Sequence, residues 1–485
     1  MTSIDSATRV DRPSGLQLDL ADLAGRLRGE VVRGDQPDYL QLSKLASSRH
    51  VRRPLAFARC TGVADVRETV LFARENDVPF TVLAGGHDAD GWGLRDDTLT
   101  IDLRPMNTVH VDARTRRGVV QAGCRLGIMD RETAVHGLAV TGGTVSDTGV
   151  AGLTLGGGVG WLTRKFGATI DSLVGIDAVT ADGDVVHASA DENPELFWGM
   201  RGGGGNFAVA TAFTFALHEQ NPTILAGSLV HRGADAVSFL QRYRELMLDA
   251  PDELGAMALL MRAAGPNYPA ELAGQPVVST IFAWAGDRAE GERILAPIRH
   301  FGSPVSDSIR PQRYTTLQQV FESPLLPQNQ RRYQNSGFLP EMTDAFIGEA
   351  VDLIEHSPVP RNGEHNVVIL PISAMGGAFL RADEQSAAMP RGNATFYWEA
   401  ASSHAFAPDD DDWIGYVRET MQPRLRAHSG PQAYLNHNSV APDDHAFIRW
   451  AFGDAKYDRL VRLKDEWDPQ NTLRFTKNIP PSRAR

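Results

Sequence analysis

The sequence predicts an α+β fold built from at least two domains, and three observations carry that prediction. At 485 residues the chain is too long for one hydrophobic core. Short apolar strands alternate with amphipathic helices along its length. Past residues 219–222 the pattern changes: strands at 225–230, 277–284, 367–372 and 394–400 alternate with helices at 237–248, 291–300 and 343–354, as in an antiparallel sheet covered by helices.

The first half reads in order as follows. A short helix falls near residues 20–28 and a strand at 55–60. Val63, Val66, Val70 and Ala73 then recur at helical spacing, with Asp65 in the first turn. A strand at 80–83 closes this β-α-β unit and runs into two glycines. Strands at 99–103, 109–111 and 118–122 follow, then a helix at 126–136 ended by Gly137. Residues 138–170 carry too much glycine for a stable element and read as mostly loop. A hairpin joins 176–179 to 185–186, and a strand spans 205–217. The acidic run at 409–412 begins or caps a helix on a solvated face.

Three glycine blocks stand out: TVLAGGHDADG at 81–91, GLTLGGGVGW at 152–161 and RGGGGNF at 201–207. Glycine admits positive φ and lets a ligand approach backbone N–H groups closely. One such loop is a turn; three, with the His87 imidazole in the first, predict a large anionic cofactor threaded through a domain.

The rest of the composition excludes more than it suggests. A net charge of −12 without any basic run argues against nucleic acid. Cys60 and Cys124 form no disulfide framework, and His365 and His404 lack a second ligand at metal spacing, so no metal is expected. No export signal opens the chain and no stretch is long and apolar enough to span a bilayer, which predicts a cytoplasmic protein without membrane contact. There is no Gly-x-Ser-x-Gly elbow for a serine hydrolase and no nicotinamide fingerprint.

Taken in chain order, Arg53-Pro54, Asp65-Val66-Arg67, Gly85-Gly86-His87, GLTLGGG at 152–158, WLTRKFG at 161–167, NPELFW at 193–198, RGGGGNF at 201–207, and DPQN…NIPP at 468–481 resemble the berberine-bridge-enzyme-like branch of the vanillyl-alcohol-oxidase flavoproteins. The resemblance spans residues 40–480, and within the family the chain is similar to bacterial secondary-metabolite tailoring enzymes such as that of enterocin biosynthesis. It implies a PCMH-type FAD-binding domain in two parts, residues 1–218 and 433–485, around an inserted substrate domain at 219–432. It further implies FAD attached covalently through His87. Ala84, Gly85, Gly86, Asp88, Gly142, Gly143, Thr148, Gly149, Gly152, Gly158, Gly205, Val209 and Asn478 would lie along the cofactor.

Two departures from the family pattern matter. Val145 stands where many relatives have a second, cysteine attachment, so only a single linkage is expected. Leu83 replaces a frequent arginine, leaving the pyrophosphate to the N–H groups of residues 84–88. Thr148 matches the family's oxygen-gate position and is small enough to admit O₂; its other reading is plain loop packing.

Substrate chemistry falls on two clusters. Period-two alternation puts Thr395, Tyr397 and Glu399 on one strand face, with Glu399 read either as base, relayed by Tyr397, or as an outward glutamate. Tyr434 and Asn436 match the family's Tyr-x-Asn pair and share a face if extended; His437, outside that pattern, is read as base or as structural. The expected function is oxidation of a small organic molecule, a bacterial secondary metabolite, with hydride transfer to flavin and reoxidation by O₂. Two alternatives stay open: a flavin monooxygenase working through an N5-oxygen adduct, and a metabolite-sequestering resistance protein.

Overall fold

The computed structural model describes residues 9–11, 17–264, 268–322, 330–360, 366–441 and 443–484; His365 and the first residues, read above for metal and export signals, lie outside them. A four-stranded sheet runs in the order Glu30–Arg33, Ala56–Arg59, Leu99–Asp102, Phe80–Leu83. The last three strands are parallel, which the crossover helix Val63–Glu75 makes possible. Burial alone would raise the Asp65 carboxyl in that helix, but N–H groups of Thr61, Arg28 and Gly29 donate to it and hold it low. Strand Phe80–Leu83 thus delivers residues 84–88 from its carboxyl end, the usual place for a ligand loop.

A five-stranded antiparallel sheet follows in the order Val185–Ser189, Leu173–Val179, Val209–Ala216, Arg117–Gln121, Val109–Asp112. The third sheet has eight strands and is antiparallel, with Thr223–Arg232, Pro276–Trp284, Leu254–Arg262, Val367–Ala374, Phe396–His404 and Arg331–Leu339 side by side. Helices Ala236–Asp249, Arg288–Arg299 and Asp344–Glu355 cover one face of it. One hydrophobic core draws on residues 18–217 and 440–479, joined by Ala388; the other lies wholly within residues 225–425. Among the described residues no helix is long and apolar enough to cross a membrane, and no cluster of His, Cys, Asp or Glu could hold a metal ion.

The structure corrects the sequence reading in three places. Residues 138–170, expected to be mostly loop without a stable element, hold the helices Val150–Leu155 and Thr163–Phe166, because burial of Val150, Leu153 and Leu155 outweighs the cost of the flanking glycines. The strand expected at 205–217 begins only at Val209, so Gly205 stays in the loop. Two nine-residue strands of the large sheet were not expected. Leu254–Arg262 is apolar without alternation because it is central and buried on both faces, whereas Arg331–Leu339 opens on polar residues, of which Arg332 and Gln334 line a cavity.

Asp130, on helix Leu126–Ala134, is 2% exposed. Burial raises its carboxyl to about 7, against the lowering effect of Gln318 Nε2 donating to it at 2.8 Å. Gln318 Oε1 is buried without a partner, and a protonated Asp130 is a hydrogen-bond donor that the carboxylate is not. The folded state therefore keeps a proton that the unfolded chain releases near pH 4. Stability from this group is full below pH 4 and is lost as the pH rises towards 7. Asp130→Asn, which can donate at every pH, should raise stability by about 1–3 kcal/mol at pH 8 and leave it unchanged at pH 4. Thermal melts at the two pH values check this.

Candidate active site

A cavity of about 440 Å³ lies between the glycine blocks and the inner face of the large sheet. Residues 84–88, 143–145, 148–149, 151–153 and 202–206 form one wall, and Met257, Pro371, Ser373, Tyr397 and Glu399 the opposite one. Residues 473 and 475–477, near the end of the chain, close a third side. Gly85 and Gly149 touch backbone to backbone: a Cβ on Gly85 would sit 2.2 Å from the Gly149 nitrogen, so any side chain there would push the two loops apart. Gly86 and Gly204 adopt positive φ, of 67° and 72°.

His87 Nε2 lies 3.0 Å from Asp147 Oδ1. The bond from His87 holds the Asp147 carboxyl below its usual range, although burial opposes it. An Nε2–H facing a carboxylate leaves Nδ1 as the ring nitrogen with a free lone pair. Asp88 in turn pairs with Lys477 at 3.0 Å, and Asp90 accepts from Arg49 at 3.0 Å and from the Val440 N–H at 2.9 Å. The His87 loop is thus pinned from the chain's last segment. Sequence reasoning missed Asp147 and Lys477, since neither carries a local signal.

Tyr434 Oη accepts from the Gly158 N–H and from Asn436 Nδ2, each at 3.0 Å. Asn436 Nδ2 also donates to the Gly152 and Leu153 carbonyls at 3.2 Å. The pair meets through a 3-10 turn, Leu435–His437, so the extended geometry considered from the sequence does not apply. Burial pushes the Tyr434 hydroxyl up to about 12. On the facing strand, Tyr397 Oη and Glu399 Oε2 both lie on His437 Nδ1, at 2.7 and 2.9 Å. Burial, reinforced by the Glu399 charge, raises Tyr397 well above the ordinary phenol range. Both tyrosines therefore stay protonated near neutrality, and the proton acceptor of the cluster is the Glu399–His437 pair. Glu399 lines the cavity, so the outward reading does not hold.

Of the residues expected at the site, His87, Ala84, Gly85, Gly86, Asp88, Gly143, Thr148, Gly149, Gly152, Gly205, Val209, Tyr397, Glu399, Tyr434 and Asn436 all line the cavity. Gly142, Gly158 and Asn478 do not. The Gly158 N–H is spent on Tyr434, and Asn478 is buried behind the wall with its amide oxygen unpartnered.

Residues 54–189 match the family model described as an FAD binding domain, and residues 433–480 match the model described as berberine and berberine like. The chain is 30% identical to (R)-6-hydroxynicotine oxidase of Paenarthrobacter nicotinovorans over 94% of its own length and 97% of that protein's. The chain belongs to the berberine-bridge-enzyme-like, FAD-linked oxidoreductases. These berberine-bridge-enzyme-like proteins sit in the PCMH-type, vanillyl-alcohol-oxidase superfamily, and their α+β fold of an FAD-binding part and a second, sheet-and-helix part is the one found here. The crystal structure of 6-hydroxy-D-nicotine oxidase from Arthrobacter nicotinovorans matches with a TM-score of 0.85 at 27% identity, covering 94% of this chain and 98% of that one. Glucooligosaccharide oxidase from Acremonium strictum, a 6-S-cysteinyl, 8α-N1-histidyl FAD protein, shares the fold with a TM-score of 0.82 at 22% identity, over 95% and 99% of the two chains.

The residues present fit FAD. Among the described residues, the N–H groups of residues 84–88 donate to no protein acceptor, which leaves a run of free donors on a loop with a left-handed glycine. Such a concave backbone run binds anions without a cation beside it, consistent with Leu83 in place of an arginine. Trp92 Nε1, buried on the same wall, also lacks a partner.

Proposed function

We propose that this FAD-dependent oxidoreductase is an oxidase of a small organic molecule, with FAD joined to His87 through a single bond and O₂ as final electron acceptor. The observation that carries the reading is the pairing, across one cavity, of His87 oriented by Asp147 with a buried acid–base cluster of Tyr397, Glu399 and His437. Residues 84–88, 143–152 and 202–206 would hold the cofactor, with residues 1–218 and 433–485 acting as one cofactor-binding unit and 219–432 as the substrate part. When bound, FAD supplies a two-electron acceptor. The rest is done by this chain's side chains.

Tyr434 and Tyr397, kept protonated by burial, position a substrate hydroxyl or amine by hydrogen bonding. His437 uses Nδ1 for Glu399 and Tyr397, so Nε2 receives the substrate proton while the Glu399 carboxylate stabilises the resulting imidazolium. Thr148, beside Gly149 on the opposite wall, leaves room for O₂. The Val145 side chain excludes a second, sulfur linkage. End-to-end similarity to a nicotine oxidase supports oxidase chemistry, and the sequence resemblance to tailoring enzymes supports a secondary metabolite as substrate.

The test is oxygen uptake and peroxide release over a panel of alcohols, phenols, amines and polyketides. Peroxide formed one-to-one with O₂ consumed is the expected result. Oxygen incorporated into product, or tight stoichiometric binding without turnover, would overturn it in favour of a monooxygenase or a sequestering protein.

A further inference from the structure

Strand Arg331–Leu339 brings Arg332, Tyr333 and Gln334 to the cavity, and its two arginines meet different fates. Arg331 clasps Asp410 through two bonds of 2.6 Å. Arg332, which lines the cavity, has no side-chain hydrogen bond and no ion pair among the described residues, and its Nε is buried without an acceptor. Burial depresses its pKa against the raising effect of the Asp147 charge, and the Asp147 carboxylate is hydrogen-bonded to His87. Directly across the ladder stands Ser403, 5% exposed, whose hydroxyl is also buried without a partner. A half-buried guanidinium with a buried, unpartnered Nε is costly, and a chain that keeps one beside an idle hydroxyl on a cavity wall is built for an anion.

We infer that Arg332 and Ser403 form a subsite for a carboxylate carried by the substrate, remote from the carbon that is oxidised. The planar two-pronged guanidinium matches a carboxylate's two oxygens, and the serine hydroxyl adds a third donor. Ser403 and Glu399 share a strand face, and their separation of four residues spans roughly 13 Å at the strand repeat. The substrate class is therefore an elongated acid, with its oxidisable C–H at one end near Glu399 and its carboxylate at the other. Met257, Ile369 and Pro371 line the stretch between, so the connecting part is apolar. The assignment of ends rests on the proposed acid–base role of Glu399; the anion subsite itself does not.

Calorimetric titration of the protein as purified, with benzoate and with benzamide, tests this. Wild type should bind benzoate at least ~10-fold more tightly than its neutral isostere, the expectation for a charge-assisted pair. Arg332→Gln should bring the two affinities together, and Arg332→Lys should keep part of the preference. No saturable benzoate binding in wild type, or a preference unchanged in R332Q, overturns the subsite. So does loss of bound flavin in R332Q, which would assign Arg332 to the cofactor. A benzoate preference in protein that carries no flavin would sink the oxidase reading and leave the subsite standing.

Discussion

His87→Ala is expected to yield folded protein from which acid precipitation releases all flavin into the supernatant, whereas wild-type precipitate stays yellow. Intact mass should then equal the bare polypeptide for the variant and polypeptide plus one FAD for wild type. The effect is all-or-none because Val145 offers no second point of attachment. The geometry also predicts a graded companion. Asp147→Asn removes the carboxylate that fixes the His87 tautomer, so covalent incorporation should be slower and incomplete, on the order of 10-fold in rate, the size found for groups that orient a reactive histidine. An imidazole substituent withdraws electron density from the flavin, so His87→Ala protein reloaded with FAD should also show a lower reduction potential. Yellow pellets from His87→Ala would remove the basis for the attachment.

Glu399→Gln carries the second large effect. The substitution keeps the shape of the side chain on His437 Nδ1 but removes the charge that stabilises a protonated imidazole. Anaerobic flavin reduction by substrate should fall by about 10²–10³, the usual contribution of a general base. Reoxidation by O₂ should be unaffected, because Thr148 and the glycine wall are untouched. Tyr397→Phe should cost less, since the phenol orients and does not accept the proton. Stopped-flow absorbance separates the two half-reactions. An unchanged rate of reduction in Glu399→Gln would show that the proton leaves by another route.

Much of the fold and the cofactor wall was legible because glycine reports backbone demands locally. The blocks around Gly85, Gly152 and Gly204 announce a loop that must pass close to something, and all three converge on one cavity. Alternation in residues 395–401 likewise placed Tyr397 and Glu399 on one face, and the observed ladder keeps them there. What the sequence hid is non-local. Asp147 is 60 residues from His87, and Lys477 is 389 from Asp88, so no pattern along the chain links either pair. Strand Arg331–Leu339 was invisible for a related reason: Arg331, Arg332, Gln334 and Asn335 read as surface, although Arg332 and Gln334 line the cavity.

The order in which the wall is completed has a consequence for biogenesis. Lys477 pins Asp88, Asn206 accepts from the Ile479 N–H at 2.9 Å, and the fully buried Lys464 amine bonds the Asn206 carbonyl at 2.8 Å and Asp468 at 2.7 Å. A nascent chain that has made the glycine loops but not yet residues 464–479 lacks these stitches. Retention of FAD is therefore expected to require these stitches, and a chain truncated before residue 464 should purify colourless.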